Sequence, residues 1–303
     1  MCGKSKLEQK IYSENKITPK TLFSGKIRRY FSFQNFIDPI FLLFGFFQSL
    51  IFFRKWRPDA VFSKGGFTAV PPILAAAILK IPIFIHETDA ASGLANRLSA
   101  KFATKIWRAF DGIGNPVRDE IFAGDPRKIP KFQKPNLPLI FGFFGSQGAQ
   151  KINELFFEIA DKIPANILWV VGDGKMPKKT FPENIRLFEF VGKNFPDFLA
   201  AADLVISRAG GGIFEIAAAK KPAILVPLKS AANRHQEKNA EILAKNNAAE
   251  IFDEEKSAAE FLKMIKNLLK NPEKRKKLAK NIAKFSPKKA AERIADELLK
   301  LKK

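Results

Sequence analysis

The residues best suited to chemistry lie between Asp203 and Asn239. This stretch predicts an apolar strand, Leu204 to Ser207, then the loop Arg208 to Gly212 and a helix with Glu215 in its first turn. A glycine loop between a strand and a helix can bind phosphate, because bare backbone N–H groups and the positive helix end face one point. A carboxylate just beyond, such as Glu215, can accept hydrogen bonds from a ribose diol.

Two amide side chains follow this loop. A second apolar strand is predicted from Ala223 to Pro227, and the polar loop after it ends at His235 and Gln236. Gln236 and Asn239 are three residues apart, so they share one face of a helix. Amides can both donate to and accept from sugar hydroxyls. The stretch as a whole therefore predicts a nucleotide-sugar pocket.

Each of these residues also has a purely structural interpretation. Glu215 could stabilise the helix dipole, and Gln236 could complete a capping box with Asn233. His86 could be an ordinary histidine at a strand end, or it could form an acid-base pair with Glu87. Because all of them cluster at predicted strand ends, the functional interpretation is favoured.

Composition limits the classes of protein. The 303 residues are enough for two domains, and a hydrophobic content of 46% is enough for packed cores. Cys2 is the only cysteine, which excludes an intrachain disulfide and suits a reducing cytoplasm. Together with only two histidines, it offers little to a transition metal.

The net charge of +22 indicates an anionic partner. Without an RNA-recognition or zinc-finger signature, a lysine-rich solvated surface is favoured over a nucleic-acid groove.

The most apolar segment runs from Phe36 to Phe53, and Asp38-Pro39 predicts that a helix starts there. The favoured interpretation is a crossover helix buried between a sheet and its neighbours. The second is a helix whose outer face rests on an anionic membrane surface, and the third is a full span. The basic residues flanking the segment are Arg28, Arg29, Arg54, Lys55 and Arg57.

Repeated strand-turn-helix units predict two parallel sheets, with about three strands in the first half and about six in the second. Gly65, Gly66, His86 and Glu87 would lie at strand carboxyl ends, where parallel sheets bind ligands. A three-stranded sheet is thin, which predicts that the first domain is truncated. No secretory signal pattern is present in residues 1–35.

Six motifs, in this order, resemble glycosyltransferase family 28, whose MurG-type bacterial members add N-acetylglucosamine to lipid I to make lipid II. The motifs are Ser63 to Phe67, His86 to Asp89, Gly114 to Arg118, Gly145 to Ala149, Ser207 to Ala219, and His235-Gln236 with Asn239-Ala240. The resemblance implies an α/β GT-B fold, in which two Rossmann-like domains with parallel sheets face a cleft and the N-terminal one is truncated. The implied divisions are an acceptor and membrane-facing domain at 1–113, a linker at 114–138, a UDP-GlcNAc-binding domain at 139–285 and a returning C-terminal helix at 286–303.

The resemblance also implies roles for residues. Glu215 would bind the ribose, the backbone at Phe190 and Val191 the uracil, and Gln236 and Asn239 the sugar. The diphosphate would be held by Ser146, Gln147 and the loop of Gly210, Gly211 and Gly212, with Arg118 nearby. His235, which precedes Gln236, is also an implied substrate-binding residue. The implied acceptor side comprises Gly65, Gly66 and Asp89, with His86 and Glu87 as candidate catalytic bases, because the family's usual N-terminal histidine has no counterpart here. The interval from Gly210 to Glu215 is one residue shorter than the family's.

The implied reaction is an inverting displacement that needs no metal or cofactor, with backbone donors stabilising the departing UDP. The implied partners are UDP-GlcNAc, the lipid-linked acceptor and an anionic membrane surface, at the cytoplasmic face of the bacterial plasma membrane. Two alternatives remain: a chain that binds UDP-GlcNAc but is not catalytic alone, and a split enzyme whose missing unit is a separate chain.

Overall fold

The computed structural model describes residues 12–13, 16–25, 34–145 and 149–300, with backbone only at 34–37 and 232. The chain forms two compact units. The first consists of Met1–Thr88, Ser92–Ala109 and Ala295–Lys303, and the second of Asp89–Ala91 and Phe110–Ile294. The functional division into domains and a linker, with its boundaries at 113, 138 and 285, stays a prediction.

The first unit is built around a parallel three-stranded sheet in the order β1-β2-β3. Its elements are α1 (Gln34–Trp56), β1 (Val61–Ser63), α2 (Val70–Ile78), β2 (Ile83–Glu87), α3 (Leu94–Ala100) and β3 (Lys105–Arg108). The central strand β2 is buried along its whole length, as expected for a parallel strand covered on both faces. The three strands predicted in the first half are therefore confirmed.

Helix α1 differs from its prediction in two ways. It begins at Gln34, so Pro39 lies inside the helix rather than at its start. Only one stripe of α1 is buried, and it carries Gly45, Ser49 and Phe53 at intervals of four residues. A β-carbon on Gly45 would lie 2.0 Å from the carbonyl oxygen of Phe23, so glycine is needed for this close approach. Phe46, Leu50 and Phe52 pack partly buried against the same core, and most of the remaining described helix is exposed.

The interpretation of α1 as a fully buried crossover helix is therefore wrong. Its outer face exposes the apolar residues Ile40, Phe41, Leu43, Phe44, Phe47, Ile51 and Trp56. The reason is that the sheet and α2 cover one side of α1. On another side the described segment 16–25 covers α1 only in part, where Phe23 stacks on Phe41 with ring centroids 6.1 Å apart. By length and composition, Asp38–Trp56 could also cross a membrane, and 17% of that window is buried.

The second unit contains a parallel six-stranded sheet in the order β6-β5-β4-β7-β8-β9. Its strands are β4 (Leu139–Phe143), β5 (Asn166–Val170), β6 (Ile185–Phe188), β7 (Leu204–Ser207), β8 (Ala223–Leu225) and β9 (Glu250–Ile251). Its helices are α4 (Gln150–Ile159), α5 (Phe195–Ala201), α6 (Gly212–Ala218), α7 (His235–Lys245), α8 (Ala258–Lys270), α9 (Pro272–Ile282) and α10 (Ala290–Leu299), whose end belongs to the first unit. Counted within the unit, the order is 3-2-1-4-5-6, which is the Rossmann arrangement.

Dense packing around Trp169 fixes the carboxyl ends of β4 and β5. Trp169 stacks on Phe156 with ring centroids 3.8 Å apart, and a β-carbon on Gly142 would lie 2.2 Å from the indole. Asn153 accepts a hydrogen bond from the indole N–H at 3.0 Å and donates to the carbonyl of Val171 at 2.9 Å. Interiors packed this closely hold strand ends in one geometry. The strand end that leads into the Gly145 loop is thus rigidly placed.

Candidate functional site

The site lies in the second unit, where β4 and β7 pair side by side. Strand order reverses at this point, because β5 follows β4 on one side of the sheet and β8 follows β7 on the other. Open parallel sheets bind ligands at such a switch point, outside the carboxyl ends of the strands. The loop after β4 includes Gly145, with φ at 81°. The predictions for Ser146 and Gln147 fall outside the described residues.

The loop after β7 leaves its backbone accessible at two glycines. A β-carbon on Gly211 would meet no described atom within 4 Å, and one on Gly210 would meet only Gln236 Nε2, at 3.8 Å. Gly212 is different, because a β-carbon there would lie 3.0 Å from the ring of Phe143. Glycine at 212 therefore allows close packing on β4, whereas Gly210 and Gly211 leave room for a ligand beside the main chain.

Glu215 and Arg118 meet beside this loop. Arg118 Nη2 donates to Glu215 Oε1 at 3.1 Å, and the guanidinium lies over the ring of Phe195, 5.9 Å from its centroid. The side chains are 25% exposed for Glu215 and 59% for Arg118, so solvent screens the pair and it contributes little to stability. What the pair provides is a carboxylate and a guanidinium within reach of one ligand.

Gln236 is oriented by the backbone rather than by a capping box. Its Oε1 accepts a hydrogen bond from the N–H of Leu228 at 3.0 Å, which turns Nε2 toward Gly210. The N-cap of α7 is Arg234, with a left-handed φ of 53°, so the capping-box interpretation with Asn233 is wrong. His235, the first residue of α7, is half-buried beside Gln236.

Asn239 is fully buried, and both of its amide protons are engaged. Nδ2 donates to Asp89 Oδ1 and to the carbonyl of Ala209, each at 2.9 Å, and Oδ1 accepts from the N–H of Ala90 at 2.8 Å. Asn239 thus holds the start of the glycine loop and the segment containing Asp89. Its predicted contact with sugar hydroxyls stays a prediction, as does the predicted place of Asp89 on the acceptor side.

The predicted uracil contact lies after β6. Phe190 is 76% exposed, and the carbonyl of Val191 accepts from the N–H of Asn194 at 3.2 Å. An exposed aromatic residue at the carboxyl end of a strand is available to a flat base. The assignment of the uracil to this backbone stays a prediction.

In the first unit, the glycine turn after β1 has the backbone that only glycine readily adopts. Gly65 and Gly66 have φ of 92° and 87°. A β-carbon on Gly65 would overlap Asn96 Oδ1 at 2.4 Å, whereas one on Gly66 would meet no described atom within 4 Å. Gly66 therefore leaves its backbone open at the edge predicted for the acceptor.

The two candidate bases are enclosed. His86 is fully buried with Nδ1 2.8 Å from Lys64 Nζ, and Glu87 is 6% exposed and accepts from Asn96 Nδ2 at 2.8 Å. A general base must come within hydrogen-bond reach of the proton that it removes. In the described geometry the His86 ring contacts Lys64 and the Glu87 carboxylate accepts from Asn96. A catalytic role for either side chain therefore stays a prediction.

Sequence reasoning missed Lys64 and Arg208. Lys64 Nζ contacts His86 Nδ1 and donates to Thr88 Oγ1 at 3.1 Å, and Arg208 lies buried behind the glycine loop. Both directly follow a strand, and a glycine comes one residue after Lys64 and two residues after Arg208, which was the available signal. Among the described residues, no cluster of three histidine, cysteine or carboxylate side chains could hold a metal ion.

Two α/β units with parallel sheets, the second in the Rossmann arrangement, are typical of the GT-B class of glycosyltransferase. The chain belongs to glycosyltransferase family 28. The model of the family's N-terminal domain matches residues 1–108, and that of its C-terminal domain matches residues 139–294.

Relatives and solved structures agree with this membership. A Treponema denticola protein named UDP-N-acetylglucosamine--N-acetylmuramyl-(pentapeptide) pyrophosphoryl-undecaprenol N-acetylglucosamine transferase is 36% identical, covering 91% of this chain and 80% of its own length. A Borreliella afzelii protein of the same name is also 36% identical, with coverages of 98% and 86%. The crystal structure of Acinetobacter baumannii MurG superposes with a TM-score of 0.77 at 25% identity, covering 97% of this chain and 88% of that one.

Proposed function

We propose that this chain transfers N-acetylglucosamine from UDP-N-acetylglucosamine to lipid I, the lipid-linked N-acetylmuramyl-pentapeptide acceptor, and so forms lipid II for peptidoglycan. The observation that carries the proposal is that three side chains lie along one glycine loop. Gln236 Nε2 lies beside Gly210, Glu215 Oε2 lies 4.0 Å from a β-carbon built on Gly212, and Arg118 is hydrogen-bonded to Glu215. This set offers a ribose acceptor, a phosphate-binding cation and a sugar-binding amide at one switch point. The identity of the acceptor is inferred from the names of the relatives, which include N-acetylmuramyl-(pentapeptide) pyrophosphoryl-undecaprenol.

In the proposed reaction an acceptor hydroxyl attacks the anomeric carbon of the sugar. The new carbon–oxygen bond forms on the face opposite UDP, the bond to the diphosphate breaks, and its electron pair leaves with UDP, so the configuration inverts. Backbone N–H groups of the glycine loop and the Arg118 guanidinium would stabilise the charge that develops on the diphosphate. The hydroxyl proton passes to a base, for which His86 and Glu87 are the proposed candidates.

The experiment that tests this function is transfer of labelled N-acetylglucosamine by the purified chain to a soluble lipid I analogue, with UDP-N-acetylglucosamine binding measured in parallel. We expect both transfer and binding. Binding without transfer would reject catalysis by this chain alone and favour the non-catalytic alternative. Activity that then returned on adding a separately expressed N-terminal segment of a relative would favour a split enzyme. Absence of binding would reject the donor assignment itself.

We also propose that the outer face of α1 places the protein on the cytoplasmic face of the plasma membrane as a peripheral protein. The exposed side chains of Phe44, Phe47 and Ile51 are followed by Arg54 and Lys55 in the last turn. An apolar helix face bordered by cations binds at the boundary between anionic headgroups and acyl chains. Each buried side chain of this size would contribute about 1.5–3 kcal/mol.

Replacing Phe44, Phe47 and Ile51 together by serine is therefore expected to lower partitioning onto phosphatidylglycerol vesicles by more than about a hundredfold. The measurement is co-sedimentation with vesicles, and soluble-acceptor transfer serves to show that the variant is folded. A matched control replaces Ile78 and Phe102, which are exposed elsewhere in the same unit, by serine. Equal losses in the two variants, or undiminished partitioning of the first, would contradict this placement on α1.

A further inference from the structure

Behind the glycine loop lies a buried ion pair that the proposed reaction does not use. Arg208 Nη2 lies 2.7 Å from Glu254 Oε2, and Arg208 Nη1 donates to the carbonyl of Val226 at 3.0 Å. The side chains of Arg208 and Glu254 are only 12% and 8% exposed. Two charged groups are thus largely enclosed at the point where the chain leaves β7 for the glycine loop.

One guanidinium joins the ends of three neighbouring strands. Arg208 directly follows β7, Val226 directly follows β8, and Glu254 lies three residues beyond the end of β9. The planar fork of arginine reaches two acceptors in fixed directions, which the single ammonium of lysine does not do. Arg208 therefore fixes the point at which the chain leaves β7 and enters the loop.

Stability is a poor explanation for this pair. Enclosing two charges costs solvation free energy, and packed apolar side chains at such positions are often as stable or more stable. The pair is therefore better explained by where it holds the arginine than by net stabilisation.

The loop is anchored at three successive residues. The Arg208 side chain is held as described, the carbonyl of Ala209 accepts from Asn239 Nδ2 at 2.9 Å, and the carbonyl of Gly210 accepts from the N–H of Ile213 at 3.1 Å. These anchors engage one side of the main chain, and the open side at Gly210 and Gly211 is left for a ligand. Displacing the first anchor would move the backbone of the other two.

We propose that Arg208 and Glu254 are positioning residues that set the glycine loop to bind the diphosphate of the donor. This inference rests on the proposed function, because it needs a diphosphate at that loop. If this is so, disrupting the pair should weaken binding of the diphosphate. Binding of the nucleoside should not change, because its proposed contacts are at Glu215 and Phe190.

The test compares Arg208→Lys and Glu254→Gln with the parent protein for binding of UDP and of uridine. If the displaced loop loses one hydrogen bond to the charged diphosphate, the binding constant for UDP falls about tenfold. We expect the Kd for UDP to rise about tenfold in both variants, the KM for UDP-N-acetylglucosamine to rise with it, and the Kd for uridine to stay unchanged. The matched control is Glu255→Gln, the neighbouring exposed carboxylate that pairs with Lys151.

Equal weakening of UDP and uridine, or a lower Tm with unchanged UDP affinity, would overturn the positioning role and leave only a structural one. If a single variant fails to fold, the double variant Arg208→Met with Glu254→Met removes both buried charges together and is expected to fold. It should still bind UDP about tenfold more weakly. Failure of the parent protein to bind UDP would instead reject the proposed function, so the two failures are distinguishable.

Discussion

Replacing Glu215 by alanine is expected to raise the Kd for UDP-N-acetylglucosamine about a hundredfold. Two hydrogen bonds from a ribose diol to a carboxylate contribute about 3 kcal/mol together, which corresponds to that factor. Isothermal titration calorimetry measures the effect directly. The Tm should stay close to that of the parent, because the Arg118 pair is solvent-screened and a first-turn acid contributes only about 0.3–1 kcal/mol to a helix.

The ribose contact is separated from the helix-dipole effect by a donor that lacks the 2′-hydroxyl. The parent protein should bind the 2′-deoxy donor more weakly than the natural one, whereas Glu215→Ala should no longer distinguish the two. Glu273→Ala is the matched control, since Glu273 is likewise an acid in the first turn of a helix, α9, and is exposed. If Glu215→Ala lowered the Tm and still preferred the natural donor, Glu215 would be a helix-stabilising residue only.

Replacing Gln236 by glutamate is expected to remove the sugar's contribution to donor binding. Glutamate keeps the acceptor for the N–H of Leu228 and the length of the side chain, but it loses the Nε2 donor that faces Gly210. A site that hydrogen-bonds a hydroxyl discriminates strongly through that bond. The ratio of the Kd for UDP to that for UDP-N-acetylglucosamine should therefore fall about tenfold.

This ratio isolates the contribution of the sugar. Repulsion between the new carboxylate and the diphosphate weakens the binding of UDP and of UDP-N-acetylglucosamine alike, so it cancels in the ratio of the two Kd values. Specificity gives a second measurement. The parent should prefer UDP-N-acetylglucosamine over its C4 epimer, and the variant should lose part of that preference. An unchanged ratio and an unchanged epimer preference would mean that Gln236 only accepts the hydrogen bond from the N–H of Leu228 and does not contact the sugar.

The sequence predicted the strands of both units and the residues at their carboxyl ends. Short apolar runs separated by glycine turns are local signals, so strands such as Leu204–Ser207 were found with their bounds unchanged. The two-residue strand β9 was not predicted by position, because Glu250–Ile251 is too short to show any periodicity. The start of α1 was misplaced, because a proline near a helix start is usually its first residue rather than its sixth.

Contacts between residues that are far apart in the sequence could not be predicted from local sequence patterns. Nothing near Asn239 in the sequence indicates that its amide holds Asp89, Ala90 and Ala209, and nothing near Arg208 indicates Glu254. These contacts depend on strand order, which brings the ends of β7, β8 and β9 together. The outward apolar face of α1 was ranked second to a buried helix, because composition shows how apolar a helix is but not how many neighbours cover it.

By itself the sequence determined the elements, the glycine loop and the family, because these follow from local patterns and the order of motifs. The tertiary structure decided which side chains face a ligand and which face protein. It turned Gln236 toward the glycine loop, enclosed His86 and Asn239, and placed a buried arginine beneath the loop. The physical reason is that burial and hydrogen-bond saturation belong to groups brought together from separate segments.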